Sequence, residues 1–336
     1  MMMLEIDYLR QALVLASKRR GFCAPNPAVG AIVVKDNQVI ASGKHWAAGY
    51  PHAEVIALKD LHPEAVKNAS LYITLEPCCH VGRTPPCTDL IIQSGIKKVV
   101  YGFSDPNLKV NKQGEKILKK SGIDCYHIHV EEINEFYESY AWWHARQLPW
   151  VTAKLAISLD GKIAGKNSRR LSLTGAAAQQ FTHQWRKRSD AILTTASTII
   201  ADDPSLNIRF AGKEIISKPV YIIDRQLRIS PEASVFKKNK HIKIYDNGYK
   251  DKNILDILRE IAEDGIQDLW VEAGGKLFSA LVQQKLVQRA FIYIAPMTIG
   301  QSGLEGFIVQ DNLFKDIKNL KWQILDKDII AEIRLE

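Results

Sequence analysis

Four side chains between positions 52 and 87 stand at a spacing that suits hydrolytic metal chemistry. His52-Ala53-Glu54 is followed by Glu76-Pro77-Cys78 and then by Cys87. A catalytic zinc takes three protein ligands and keeps one position open for water. One imidazole and two thiolates, His52, Cys78 and Cys87, supply such a set for one zinc per chain. Zinc lowers the pKa of its water toward about 7, and a carboxylate must then carry the proton to the departing group. Glu54, two residues from the histidine, is the candidate. Residues two apart on a helix point in different directions, so His52 and Glu54 converge only where a helix end faces the metal. Helix amino termini also favour thiolates. His52, Cys78 and Cys87 are therefore expected at or just before helix starts, with Pro77 opening a helical turn. A purely structural zinc needs a fourth protein ligand, which Cys79 or His80 would have to supply.

The second half carries a different signal. Val271-Glu272-Ala273-Gly274-Gly275-Lys276-Leu277 reads as a strand, a glycine pair and a helix start. Such a turn lets backbone amides approach an anion. It is not the G-x-G-x-x-G of a dinucleotide-binding unit. Lys154 and Ser158-Leu159-Asp160-Gly161-Lys162 stand apart from it in sequence.

The elements that must position these groups alternate. A helix is expected over 4–20, strands over 29–34 and 38–42 around a hairpin turn, and a helix from about 52. Strands follow at 70–75, 97–101 and 123–130, with helices at about 88–94, 113–120 and 131–147. A proline and a fresh strand after the polar helix mark a seam at Leu148-Pro149-Trp150, dividing residues 1–147 from 148–336. The second part shows strands at 151–157, 190–194, 219–223, 241–245, 268–272 and 289–295. Its helices lie at about 175–187, 253–263 and 276–284, and the chain closes on strands within 322–335. Strand–helix alternation predicts α/β sheets with helices on both faces.

The bulk numbers agree with two domains. A prior of roughly 150 residues per domain divides 336 residues in two. Three of the five cysteines, Cys78, Cys79 and Cys87, crowd into ten positions, which favours metal chemistry over disulfides. Cys23 and Cys125 read as small buried hydrophobes. No apolar run is long enough to span a membrane, and the start of the chain lacks the pattern of a signal peptide, so the expected location is cytoplasmic. Residues 1–147 carry 17 Lys and Arg against 15 Asp and Glu, and the remainder 28 against 22. A mild, dispersed excess suits a phosphorylated small substrate or cofactor and not a nucleic-acid partner.

Nucleobase deaminases write the first signal as H-x-E followed by P-C-x-x-C. Here the cysteines are nine apart, around Cys79-His80-Val81-Gly82-Arg83-Thr84-Pro85-Pro86. That loop, Pro25-Asn26-Pro27-Ala28-Val29-Gly30, and the run from Gly43 through His45 and Gly49 to Glu54 resemble the bifunctional deaminase–reductase family of riboflavin biosynthesis. The second half resembles that family's reductase domain through Lys154, Asp160-Gly161, Arg186, Ser189, Thr198, Ala201-Asp202-Asp203-Pro204, Arg209 and Glu272-Ala273-Gly274-Gly275.

The resemblance implies a three-layer cytidine-deaminase-like domain followed by a dihydrofolate-reductase-like domain. It implies zinc and NADPH as cofactors, a small phosphorylated pyrimidine as substrate, and a homo-oligomer. Asn26 and His45 would contact the pyrimidine or the metal-bound water, and Arg83 the substrate phosphate. Ser172, Thr198, Asp202, Gly274, Gly275, Lys276, Leu277, Phe278, Ser279 and Ala280 would touch the cofactor. Lys154, Arg170, Arg186, Leu206, Arg209 and Glu272 would touch the reductase substrate, with Arg186 and Arg209 reaching a phosphate. The sequence departs from the family at Ser172, where an aromatic cofactor contact is usual, and at Arg170, where a small polar residue is. Two other readings share these residues: a tRNA base deaminase, and a deaminase carrying a non-functional reductase domain.

Overall fold

The structure is a computed structural model that describes residues 4–80, 85–107, 111–166, 171–249, 251–308 and 312–335. The chain divides into two compact units, Met1–Leu148 and Pro149–Glu336.

The first unit is built on five strands, β1 (Gly30–Lys35), β2 (Gln38–Lys44), β3 (Ser70–Ile73), β4 (Lys98–Tyr101) and β5 (Asp124–His127), ordered β2-β1-β3-β4-β5. β1 and β2 form a hairpin whose two turn residues, Asp36 (φ 49°) and Asn37 (φ 63°), are both left-handed. Such a turn matches the strand twist, and Asp and Asn tolerate it best after glycine. β3, β4 and β5 run parallel.

Alternation along β1 shows how the sheet is sandwiched. Ala31 and Val33 pack with residues of α2 (Ala53–Leu58), α4 (Cys87–Ser94) and α5 (Gln113–Lys120), as does Val66 of the short α3 (Pro63–Val66). Ile32 and Val34 pack on the other face with α1 (Glu5–Ser17) and α6 (Glu131–Arg146). The result is three layers, helix–sheet–helix.

The second unit holds an eight-stranded sheet. Its strands are β6 (Trp150–Ser158), β8 (Ala191–Thr195), β9 (Val220–Ile223), β10 (Ile242–Tyr245), β11 (Asp268–Glu272), β12 (Arg289–Ala295), β14 (Asn319–Leu325) and β15 (Asp328–Arg334), in the order β10-β9-β8-β11-β6-β12-β15-β14. The first six are parallel, and β15 and β14 close the edge antiparallel. A separate short pair joins β7 (Lys162–Ala164) to β13 (Leu304–Glu305). The parallel strands read as near-continuous apolar runs, as strands covered on both faces must.

The helices of this unit are α7 (Ala176–Arg188), α8 (Ala196–Asp202), α9 (Ser234–Lys238), α10 (Ile254–Glu263) and α11 (Gly275–Gln283). α10 shows the local logic: Asn253 and Asp256 cap it reciprocally, and Ile257, Leu258, Ile261 and Ala262 form its buried stripe. α8 and α9 were not anticipated from the sequence; α8 follows β8 without an intervening loop residue. Cys23 and Cys125 are buried. Among the described residues no helix is long and apolar enough to cross a membrane.

Candidate active sites

In the first unit the metal signal becomes one cluster. Gly43 lets α2 settle on β2: a Cβ there would lie 2.1 Å from the Ala53 carbonyl oxygen. His52 is the N-cap of α2 and Glu54 stands in its first turn. Cys87 is the first residue of α4. These three sit at helix starts, as expected.

Cys78 does not, and Pro77 opens no helical turn. Hydrogen bonds explain the difference. The Glu76 carboxylate accepts the backbone N–H groups of Lys112 (3.0 Å) and Asp105 (3.4 Å), which holds this stretch as a loop. The Cys78 carbonyl accepts from Thr88 N–H at 3.2 Å, and its Sγ accepts from Cys87 N–H at 3.3 Å. Cys78 therefore meets the amino terminus of α4 from outside. The favourable interaction of a thiolate with a helix start is kept without a helix of its own.

His52 Nδ1 is 3.2 Å from Cys87 Sγ and 3.5 Å from Cys78 Sγ, and the three ligand atoms all lie within 4.8 Å of one another. One tetrahedral ion with bonds of about 2.0–2.3 Å spans such separations. Among the described residues no fourth His, Cys, Asp or Glu joins the cluster, so Cys79 and His80 stay outside it.

The electrostatics ask for a cation. A hydrogen bond from Cys87 lowers the Cys78 thiol, while the same bond and burial push Cys87 up. Two sulfurs thus share one proton, which a dication replaces. Zinc fits this donor set. Glu54 is 3% exposed, and burial raises its carboxyl above the usual range.

The surrounding cleft, about 410 Å³, is lined by Asn26, His45, His52, Glu54 and Cys78. His45 Nδ1–H donates to the Pro51 carbonyl at 3.1 Å, leaving Nε2 to accept from the Asn26 amide at 3.3 Å. Arg83 lies outside the described residues. Sequence reasoning missed Asp105, Asn107, Tyr140, Trp143 and His144, which also line the cleft. Asp105, whose carboxyl burial pushes up to about 6, accepts from the Tyr140 hydroxyl at 3.1 Å. Its place beyond the carboxyl end of β4, where α/β sheets bind ligands, was the available clue.

In the second unit a cleft of about 580 Å³ opens beyond the carboxyl ends of the parallel strands. Lys154 on β6 pairs in register with Glu272 on β11, 118 positions later. Lys154, Ser172, Arg186, Thr198, Asp202, Leu206, Arg209, Glu272 and Gly274 all line the cleft. Arg170 lies outside the described residues.

Arg186 is tied to a neighbouring carboxylate. Its Nε and Nη2 donate to the two Glu272 oxygens at 2.5 and 2.9 Å, and Nη1 donates to the Asn207 carbonyl at 2.8 Å. Three of its five N–H bonds are thus engaged by the protein, and two remain toward the cleft that Arg186 lines. Trp270 Nε1–H donates to the same carboxylate at 2.7 Å. Burial opposes the Glu272 charge, but the Arg186 guanidinium prevails and holds the carboxyl at about 2. Burial depresses the Lys154 ammonium, whose Nζ lies 5.1 Å from the Tyr293 ring centre.

Gly274 is the N-cap of α11, and Gly275 lets that helix approach: a Cβ there would meet the Gly306 carbonyl oxygen at 2.1 Å. The amides of this first helical turn face no intrahelical partner, the usual anion site. Further along α11 the side chains serve packing. Phe278 lies against Phe307 and Phe314, and Ser279 accepts from Ile308 N–H. Gly275, Lys276, Leu277, Phe278, Ser279 and Ala280 are not among the cleft-lining residues. The volume and the helix terminus suit a phosphorylated dinucleotide.

Comparison with known proteins bears on both units. A family model of the cytidine and deoxycytidylate deaminase zinc-binding region matches residues 2–103, and one of the RibD C-terminal domain matches residues 149–331. The riboflavin biosynthesis protein RibD of Haemophilus influenzae is 35% identical, over 97% of this chain and 94% of that protein. Its counterpart in Aquifex aeolicus is 38% identical, over 89% and 90%. Acinetobacter baumannii RibD superposes with a TM-score of 0.89 at 31% identity, covering 99% of each chain. A deaminase/reductase structure from Thermotoga maritima gives 0.89 at 30%, again over 99% of each. With a zinc-type cluster in one unit, a cofactor-sized cleft in the other and relatives matched along both, the chain belongs to the RibD family of bifunctional deaminase–reductases of riboflavin biosynthesis.

Proposed function

We propose that the chain performs two successive reactions on one substrate. The first unit removes an amino group hydrolytically from the phosphoribosylated diaminopyrimidinone. The second reduces the ribosyl group of the product to a ribityl chain with NADPH. The observation that carries this reading is the His52, Cys78 and Cys87 cluster with Glu54 buried beside it.

Zinc, when bound by these three residues, supplies a nucleophilic water at neutral pH. Glu54 takes the proton from the attacking water and delivers it to the leaving amine. Its buried, raised carboxyl suits a group that must hold a proton between the two transfers. Asn26 and His45 form a hydrogen-bonded pair that orients the pyrimidine, and Arg83 takes the phosphate.

In the second unit NADPH, when bound, supplies a hydride for the sugar carbon attached to nitrogen. Ser172, Thr198, Asp202 and Gly274 form its side of the cleft. Leu206, Arg209 and Glu272 form the substrate side. Lys154 and Glu272, paired across two strands, face the reacting end, where Lys154 polarises the opening sugar. Arg186 keeps Glu272 ionised and fixed.

The homo-oligomer implied by the resemblance has a surface to use. On edge strand β14, Leu320 (40%), Trp322 (61%) and Ile324 (74%) are exposed, beside Ile329 (39%) on β15. Contiguous apolar surface of this kind marks contact sites.

The test is a two-step assay on zinc-loaded protein with the phosphoribosylated diaminopyrimidinone, following ammonia and then NADPH. Ammonia followed by NADPH oxidation is expected. Ammonia without NADPH oxidation would overturn the reductase assignment, and neither signal from zinc-loaded protein would overturn both.

A further inference from the structure

One cleft-lining side chain in the second unit has no part in the scheme above. Gln179, Thr182, His183 and Arg186 all come from α7 and line the cleft. Their spacing puts them on one helical face. The His183 Nδ1 accepts the backbone N–H of Arg209 at 3.3 Å. A ring nitrogen that accepts is unprotonated, so the ring proton sits on Nε2 and makes that edge a donor. Burial, followed by the charges of Arg186 and Arg209, holds the imidazole at about 4 against the opposing Glu272 charge and a backbone hydrogen bond to Asn207, so it stays neutral in this environment.

The corner around His183 is cationic. Its ring meets Phe210 edge-on at 6.2 Å, and the ammonium groups of Lys187 and Lys213 lie 5.9 and 5.8 Å from the centre of the same Phe210 ring. The carboxylate acting on His183 is Glu272, which Arg186 already pairs. Among the described residues no carboxylate pairs with Arg209, Lys187 or Lys213. A neutral N–H donor between unpaired cations and a helix face suits a phosphate monoester dianion, which offers several acceptor oxygens and two charges.

We propose that His183 is a substrate-binding residue of the reductase cleft, donating from Nε2 to the phosphate on the sugar end of the substrate beside the Arg209 guanidinium. This rests on the reductase reading above. A phosphate monoester also occurs on the adenosine ribose of NADPH, so the test separates the two sources. A neutral donor has one further merit: it holds the phosphate without titrating, whereas an imidazolium would lose its grip as pH rises through the usual histidine range.

The experiment compares wild type with His183→Leu and His183→Gln in the full chain, with ammonia release from the first unit as the control for intact protein. A hydrogen bond to a charged group sets the scale, so His183→Leu is expected to raise KM for the deaminated, phosphorylated substrate by about 10- to 100-fold. It should leave KM for the dephosphorylated substrate unchanged. His183→Gln, whose amide nitrogen reaches to about the place of Nε2, should recover most of the loss. Equal effects on both substrates would make the role structural and overturn the proposal. A weakened affinity for NADPH, with affinity for NADH and substrate KM intact, would assign the phosphate to the cofactor and overturn it too. Ribose 5-phosphate binding to the wild-type and His183→Leu chains, measured by calorimetry, needs no turnover. If the wild type binds it and the variant does not, the subsite stands even where the reductase reading fails; equal binding by both removes it.

Discussion

Removing the Glu272 carboxylate tests how the second cleft is organised. Glu272 and Arg186 form a bidentate pair whose side chains are only 13% and 10% exposed. Breaking a buried pair from one side leaves an uncompensated charge and costs about 3–5 kcal/mol. For a unit of this size each kcal/mol shifts Tm by about 2–4 °C, so Glu272→Leu should lower the unfolding temperature of the second unit by roughly 6–20 °C. Arg186→Met with Glu272→Leu removes both charges and should be less damaged than the Glu272→Leu variant. Recovery will be incomplete, because Trp270 Nε1 loses its acceptor in both variants. A double-mutant cycle read by calorimetry should give a coupling of at least about 2 kcal/mol. Both variants should lose NADPH oxidation and retain ammonia release. A coupling below about 0.5 kcal/mol, or a double variant no more stable than the Glu272→Leu one, would refute the claim that Arg186 serves Glu272. The pH dependence carries the same sign. The Glu272 carboxyl falls from the ordinary 4.5 to about 2 in the folded chain. Its contribution is therefore fully present above 4.5 and lost as pH falls toward 2. The stability advantage of wild type over the double variant should shrink across that window and stay constant above it.

Glu54→Gln should keep zinc, measured by metal analysis, yet lower ammonia release by about 10²-fold or more, the usual worth of a positioned acid–base group. Reduction of supplied deaminated substrate should be unaffected, and retained deamination would remove Glu54 from the mechanism. Cys87→Ser should lower zinc content and abolish ammonia release while leaving NADPH oxidation intact; a zinc-replete variant would contradict the ligand set. Gly43→Ala forces α2 away from β2, because a Cβ would sit 2.1 Å from the Ala53 oxygen. It should cost about 1–3 kcal/mol and depress deamination more than reduction. Trp322→Lys with Ile324→Lys should shift the chain to a smaller species in light scattering, and an unchanged mass would clear that face.

What the sequence determined about this protein is what a few neighbouring residues can express. His52 and Glu54 share a helix start, so three consecutive residues carry the proposed metal ligand and its proposed acid–base partner. The parallel strands show as apolar runs because both of their faces are covered, and α10 shows as a capped, striped helix. The two-unit division falls at Leu148 and Pro149, one residue from the seam read at 147 and 148. Tertiary structure alone decided the features that depend on partners far along the chain. Cys78 sits in a loop because Glu76 bonds to amides 29 and 36 positions away. Arg186 holds a carboxylate 86 positions on, where local pattern offered only a cation that a phosphate could use. Asp105, Tyr140 and His183 carry no local signature, since a lone Asp, Tyr or His on a helix or after a strand is common. They gain meaning only where neighbouring strands, paired in register within each unit, bring their carboxyl ends to that unit's cleft and leave buried polar groups that must find partners there.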